Sequence, residues 1–578
     1  MTEKHEITLD LHYKKSALMD ELCDLNDFDG IVRLCEELDT YTHPSSLIRL
    51  HLFYNTGSGY SHVAARRDNE FNSQTSGLAL LNFRKAMVEV KTFAKESFRS
   101  IPSDEVMNAY YDLRSRLFTN MANELDYQGR RLEALSYYED PIESGNVHAV
   151  MSKANCLYRL AQSVYDDGHA YYLQRESANY YQQALSRIDE FPPIQRESIE
   201  SAPFYRHFLS WFKEQESLYG SDFPDLNTLP GSSPETKKVK NYLRWCADNR
   251  LFINELNAVS TSEVVNHDVL SLPNITTRIN TLLSSPEELS FHGHFDEMKA
   301  DYCYARYLAF MGSSIPLFEE HFFNSTFEHV DTLDYEINNL KTHHLKSCFR
   351  ISYSIFDKIS FFLHRFFELD TVQNDHKVDF KKVWFNQGSQ PLKDIFQNSE
   401  NDYFKALYFI SREIRQGARN TPLDKDLSYW FDPDTQRLFN IRNAMEHRAF
   451  KLVDAVCHHN VNDNYNEIEE HEKKLAKVRQ DIKHATKQLV TSPENKAELE
   501  RQLEKLKRLE INLNEDLHEK ERMSTYSVIV GVEEFELLTM KLLTLAKDAL
   551  VYLSLAIHHE ESQQNQSSIA IPYPVPKK

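Results

Sequence analysis

The chain has 578 residues, of which 41% are hydrophobic, and a formal net charge of −21 at pH 7. That is core-forming material for roughly three to four domains, and the charge disfavours a protein that coats duplex nucleic acid, because phosphate neutralisation drives such binding and needs a basic surface. Glycine is scarce at 14 residues, no GxxxxGK[S/T] or GxGxxG occurs, and Gly57 and Gly59 in NTGSGYSH lack the lysine of a phosphate loop, which argues against a nucleotide-triphosphate motor.

The first fifteen residues, MTEKHEITLDLHYKK, contain no apolar run of the signal-peptide kind. The seven cysteines are scattered without a CxxC, as thiols of a reducing compartment are. The expectation is a cytoplasmic protein with no membrane association.

Residues 1–200 carry a weak helical repeat. Phe53, Gly57 and Tyr60 followed by Ala79, Phe83 and Ala86 fit the tetratricopeptide spacing of small and aromatic residues on paired helices. A second copy reads Phe118, Ala122, Leu125, then Ala134 and Tyr138. A third reads Met151, Asn155, Tyr158, then Ser177, Tyr181 and Ala184. Each helix pair cannot bury its apolar face alone, so neighbours stack. A helical middle region, 201–340, opens with the linker-like FPDLNTLPGSSPETKK, Phe223 to Lys238.

From residue 341 to 562 the pattern predicts four long helices of a bundle. They are HHLKSCFRISYSIFDKISFFLHRFFEL, NDYFKALYFISREIRQG, DPDTQRLFNIRNAMEHRAFKLVD and the stretch after Gly531, GVEEFELLTMKLLTLAKDALVYLSLAI. Lys541, Lys547 and Asp548 interrupt the last one, which suits a core helix better than a membrane span. Between the third and fourth, residues 462–523, Ile468, Leu475, Ile482 and Leu489 recur every seven residues. After TSPEN come Leu499, Leu503, Leu506, Leu513 and Leu517. Two heptad helices around a breaker predict an antiparallel coiled-coil hairpin. The tail, 563–578, has a disordered composition. The fold class is therefore all-α.

Chemistry concentrates in the third bundle helix, at RNAMEHR. On a helical wheel Leu438, Ile441, Met445, Ala449 and Leu452 form one apolar face, while Asn443 and His447 lie on the other side with Arg442 at its boundary. Phe439 and Phe450 share that outer side, which suggests that the face is covered, most simply by the same helix of a second copy. A histidine titrates near neutrality and can move a proton to or from a ribose hydroxyl or a leaving oxygen. An arginine stabilises the extra charge of a phosphorane. Two copies would bring two histidines to one cleft. Arg followed four to six residues later by His occurs by chance about once or twice in such a chain, whereas Arg-Asn-x-x-x-His is expected only about 0.05 times.

The four-helix pattern together with RNAMEH resembles the HEPN superfamily. LRWCADNRLFINELN, FRISYSIFDKI and VDFKKVWF resemble a prokaryotic branch with a long helical N-terminal region and a C-terminal HEPN domain. The resemblance implies a metal-independent endoribonuclease, a homodimeric site built from Arg442, Asn443 and His447, and a role as a toxin or in antiviral defence. It implies no cofactor. One departure is Ala449, which stands where toxins regulated by nucleotide transfer often carry tyrosine. Further expected partners are RNA as substrate and a protein bound by the repeats or by the hairpin. The alternative is a catalytically silent helical adaptor. Glu413 and Lys358 are candidates to support the cleft, with surface or packing roles the simpler expectation. HGH at 292–294 and CHHN at 457–460 lack a second ligand pair for zinc, so no metal site is expected.

Overall fold

A computed structural model describes residues 5–99, 101–229, 236–273, 275, 285–328, 330, 335–369, 378–380, 382–386, 392–414, 438, 441–446, 449–454, 463–491, 496–523 and 527–564. The protein is all-α, with two short two-stranded parallel sheets among the described residues. It divides into two units. The first comprises Met1–Arg306, Ile351–Gln436 and Leu543–Lys578. The second comprises Tyr307–Arg350 and Arg437–Leu542. Among the described residues no helix is long and apolar enough to cross a membrane.

In the first unit the expected repeat positions fall on three helix pairs. The first joins α1 (Ser46–Arg66) to α2 (Gln74–Arg99). Gly57 is required there: a Cβ would sit 2.7 Å from the Phe83 ring. Tyr60, Ala79, Phe83 and Ala86 are buried around this approach. The second joins α3 (Asp104–Tyr127) to the seven-residue α4 (Arg131–Tyr137), with Ala122, Leu125, Ala134 and Tyr138 buried. The third joins α5 (Val147–Ala161) to α6 (Asp167–Ser186), where the Ser177 hydroxyl donates to the Ala154 carbonyl at 2.9 Å. Ser103, Asn146 and Asp166 cap α3, α5 and α6 by accepting backbone N–H bonds, as N-cap residues do.

Within this unit the repeats are welded to α7 (Asp402–Ile414). Gly129, at φ +79°, turns the chain between α3 and α4, and a Cβ there would lie 2.0 Å from the Asp402 carbonyl. Only glycine suits both the conformation and the approach. Arg130 and Arg84 then reach Glu413 at 2.5 and 2.6 Å, all three side chains being buried. Burial raises the Glu413 carboxyl, but Arg130 and then Arg84 outweigh it and hold the group below its ordinary value.

The second unit corrects the expectation of one helix running through Asp454. Residues 441–446 are helical, but Ala449–Val453 is a strand, β1. It pairs in parallel with β2, Ser527–Gly531, in the register Ala449↔Ser527 to Val453↔Gly531. The Ile337 N–H donates to the Leu452 carbonyl at 2.7 Å on β1's other edge. A period-2 strand thus replaces the helical wheel after the motif, and Phe450 turns inward. Its ring lies 5.3 Å from that of Phe535, itself 5.5 Å from Phe349. Phe450 is therefore a core residue and not part of an outer face; Phe439 lies outside the described residues.

The chain between β1 and β2 contains the expected hairpin, α8 (Asp463–Thr491) against α9 (Lys496–Met523). Leu475, Val478, Ala485 and Leu517 are its buried seam, and Arg479 pairs with Glu510 across it at 2.7 Å. Parallel strands require a crossover connection, and the hairpin lies within that crossover.

Candidate functional site

The motif begins on a short helical segment whose two faces differ. Ile441, Ala444 and Met445 are buried, while Arg442 and Asn443 are half-buried and Glu446 is exposed. The spacing sets this out: positions 442 and 446 lie one turn apart on a face, and 441, 444 and 445 fall opposite. The outward placement of Arg442 and Asn443 agrees with the wheel. His447 lies outside the described residues.

The segment is held by α10 (Leu340–Phe366), whose first eleven residues belong to the second unit. Arg350 donates from Nη2 to the Met445 carbonyl at 2.9 Å and from Nε to Glu446 at 3.1 Å. A cation at a helix C-terminus meets the negative end of the peptide dipoles and satisfies a carbonyl without an intrahelical partner. One turn earlier, the Lys346 ammonium lies 5.5 Å from the Phe450 ring centre and donates to the Phe450 carbonyl at 3.4 Å. Burial pulls the Lys346 ammonium below its ordinary value; Glu336 opposes this and Arg350 adds to it. Burial also lowers His343, reinforced by Lys346, His344 and Arg350. Arg350 and Lys346 were not foreseen as site residues. Their signal was present as His343, Lys346 and Arg350 at helical spacing.

The other candidates go elsewhere. Glu413 is the buried partner of two arginines in the first unit, not a surface group. Lys358 pairs with Asp301 at 2.7 Å and with Glu297 in that same unit. Cys457 to Asn460 lie outside the described residues.

Compared with known proteins, residues 282–485 match the model of the LA2681-like HEPN family. The match begins before the bundle boundary expected at 341, contains Arg442, Asn443 and His447, and ends inside α8. No curated protein and no solved structure matches the chain.

Proposed function

From an LA2681-like HEPN region at residues 282–485, we propose that the protein is a metal-independent endoribonuclease whose site forms across a homodimer. Arg442, Asn443 and His447 of two copies meet in one cleft. One His447 takes the proton of a ribose 2′-hydroxyl as its oxygen attacks phosphorus. The other gives a proton to the departing 5′-oxygen, so the phosphodiester opens to a 2′,3′-cyclic phosphate and a free hydroxyl with charge and protons balanced. Arg442 stabilises the pentacoordinate phosphate, and Asn443 orients histidine or phosphate. The observation that carries the reading is the outward placement of Arg442 and Asn443 on residues 441–446 while Ile441, Ala444 and Met445 are buried. A toxin or defence role, in which RNA cleavage stops growth, follows from the family resemblance.

The test is cleavage of total RNA by the full chain in excess EDTA over a dilution series. Cleavage should persist in chelator, and activity per chain should fall as the dimer dissociates. Loss in EDTA with rescue by magnesium contradicts metal independence; constant activity per chain in sedimenting monomers contradicts the composite site.

A second reading, a helical adaptor, draws support from α11 (Pro203–Tyr219), where Phe204, Trp211 and Leu218 are exposed at seven-residue spacing. Absence of cleavage together with capture of a protein partner by this face would favour it.

A further inference from the structure

We infer that one face of α10, formed by His343, Lys346 and Arg350, docks the phosphates of single-stranded RNA beside the motif; this rests on the endoribonuclease reading. The residues follow at spacings of three and four, so they line one helix face. Lys346 and Arg350 are both anchored on the motif segment and the strand that follows it, through the carbonyls of Phe450 and Met445. Their fields converge, since both cations depress the neighbouring His343, after burial. Mutual repulsion along a helix costs stability, and in a chain of net charge −21 a basic strip is not the composition's default.

The acids nearby define how an anion would enter. Glu446 holds Arg350 at 3.1 Å, with the two side chains 41% and 48% exposed. Such a pair contributes at most about 1 kcal/mol. Glu336 pairs with Lys451 at 3.9 Å and also opposes the lowering of Lys346. Glu446 shares its helix face with Arg442. A phosphate that displaces the Glu446 carboxylate from Arg350 therefore arrives on the face that presents Arg442. The guanidinium fork suits a phosphate in bidentate fashion. Arg350 thus holds the segment while no RNA is bound and takes a backbone phosphate when it is.

The experiment uses the full chain and a mixed-sequence 2′-O-methyl oligoribonucleotide of about ten nucleotides, which lacks the attacking hydroxyl, with affinity read against salt. Each phosphate contact adds about 0.7 to the slope of log affinity on log salt for a single strand. Arg350→Gln and Lys346→Gln should each lower the slope by about that amount and weaken binding severalfold at low salt. Arg350→Lys and Lys346→Arg should retain most of it. Glu446→Gln should tighten binding. Lys14→Gln, on an exposed side chain of the first unit, is the control. Should Lys346→Gln fail to fold, the exposed Arg350 decides the matter alone. Unchanged slopes in the Arg350→Gln protein overturn the strip. If the slopes change as stated but an unmodified RNA of the same sequence stays intact, the strip stands and the endoribonuclease reading fails. If RNA is cut and the slopes do not move, the reverse holds.

Discussion

Two ion clusters, one in each unit, are built in opposite ways. In the first, Arg84, Arg130 and Glu413 are sealed inside, each cation satisfied by a carboxylate. In the second, Arg350 and Glu446 meet at the surface, and Arg442 sits half-buried on the same helix face as Glu446. A buried ion cluster fixes one arrangement, because removing any member strands a charge. An exposed pair costs little to open and can exchange one partner for a ligand. The first cluster therefore fixes the fold around it, and the second can open without unfolding its unit.

The sharpest way to break this contrast is Glu413→Ala. Among the described residues it leaves Arg84 with Glu133 at 3.9 Å and Arg130 with Glu133 at 2.5 Å, and should cost about 3–5 kcal/mol, read as a fall in melting temperature. The matching change in the second unit, Glu446→Ala, should move stability by less than about 1 kcal/mol. Equal effects at the two sites would erase the distinction. Glu413 also sets a pH window. Its carboxyl is held below the ordinary value in the fold, so its stabilisation is present above the unfolded value of about 4.3 and is lost as pH falls through the folded value.

Phe450→Asp comes next. Placed between Phe535 and the Lys346 ammonium in a strand, it should destabilise the second unit by about 2–4 kcal/mol through lost packing and a buried carboxylate, whatever the oligomeric state. Dissociation of a dimer with unchanged thermal stability would instead restore an outward-facing Phe450.

The hairpin connects the two strands of the second unit. Because β1 and β2 are parallel, the exit at Val453 and the entry at Ser527 lie at opposite strand ends, about 13 Å apart at 3.3 Å per residue. A two-residue bridge, which reaches at most about 11 Å, should prevent pairing, while about a dozen Gly/Ser residues should allow it. The variant with the longer bridge should fold and retain cleavage of a short unstructured RNA but lose choice among cellular RNAs. Equal folding with both bridges would contradict the parallel register.

The smallest effect belongs to His12 in the first unit. It is buried with its Nε2 2.9 Å from His51 Nδ1, and burial, then His51 and His43, lower it to about 4. The unfolded side chain binds a proton near pH 6.5, so between about 6.5 and 4 the unfolded state holds more protons and stability falls with pH. The difference between wild type and His12→Gln should change by about 1 kcal/mol from pH 6.5 to 5.5; a flat difference would remove the buried neutral pair.

What was legible in the sequence was local and periodic. The Gly57–Phe83 contact follows from small and aromatic residues at fixed offsets, and the hairpin seam from heptads. The outward side of Arg442 and Asn443 needed only one turn of helix. The strand pair was missed because Ala449 and Leu452 happen to continue the apolar period of Ile441 and Met445, and its partner lies across the whole hairpin. The β-branched run Val528, Ile529, Val530 before Gly531 was the available signal. Arg84 and Arg130 find Glu413 over 329 and 283 residues, a separation at which spacing carries no information.

RNA cleavage by Arg442, Asn443 and His447 is tested by comparing wild type with His447→Ala on total RNA, with melting temperatures taken on the same preparations. Cleavage is expected from the wild type and none from His447→Ala, with melting temperatures that agree closely, since the helical wheel puts position 447 on the outer side, where substitutions move stability by about 0.5 kcal/mol or less. Equal cleavage by both proteins would contradict this assignment.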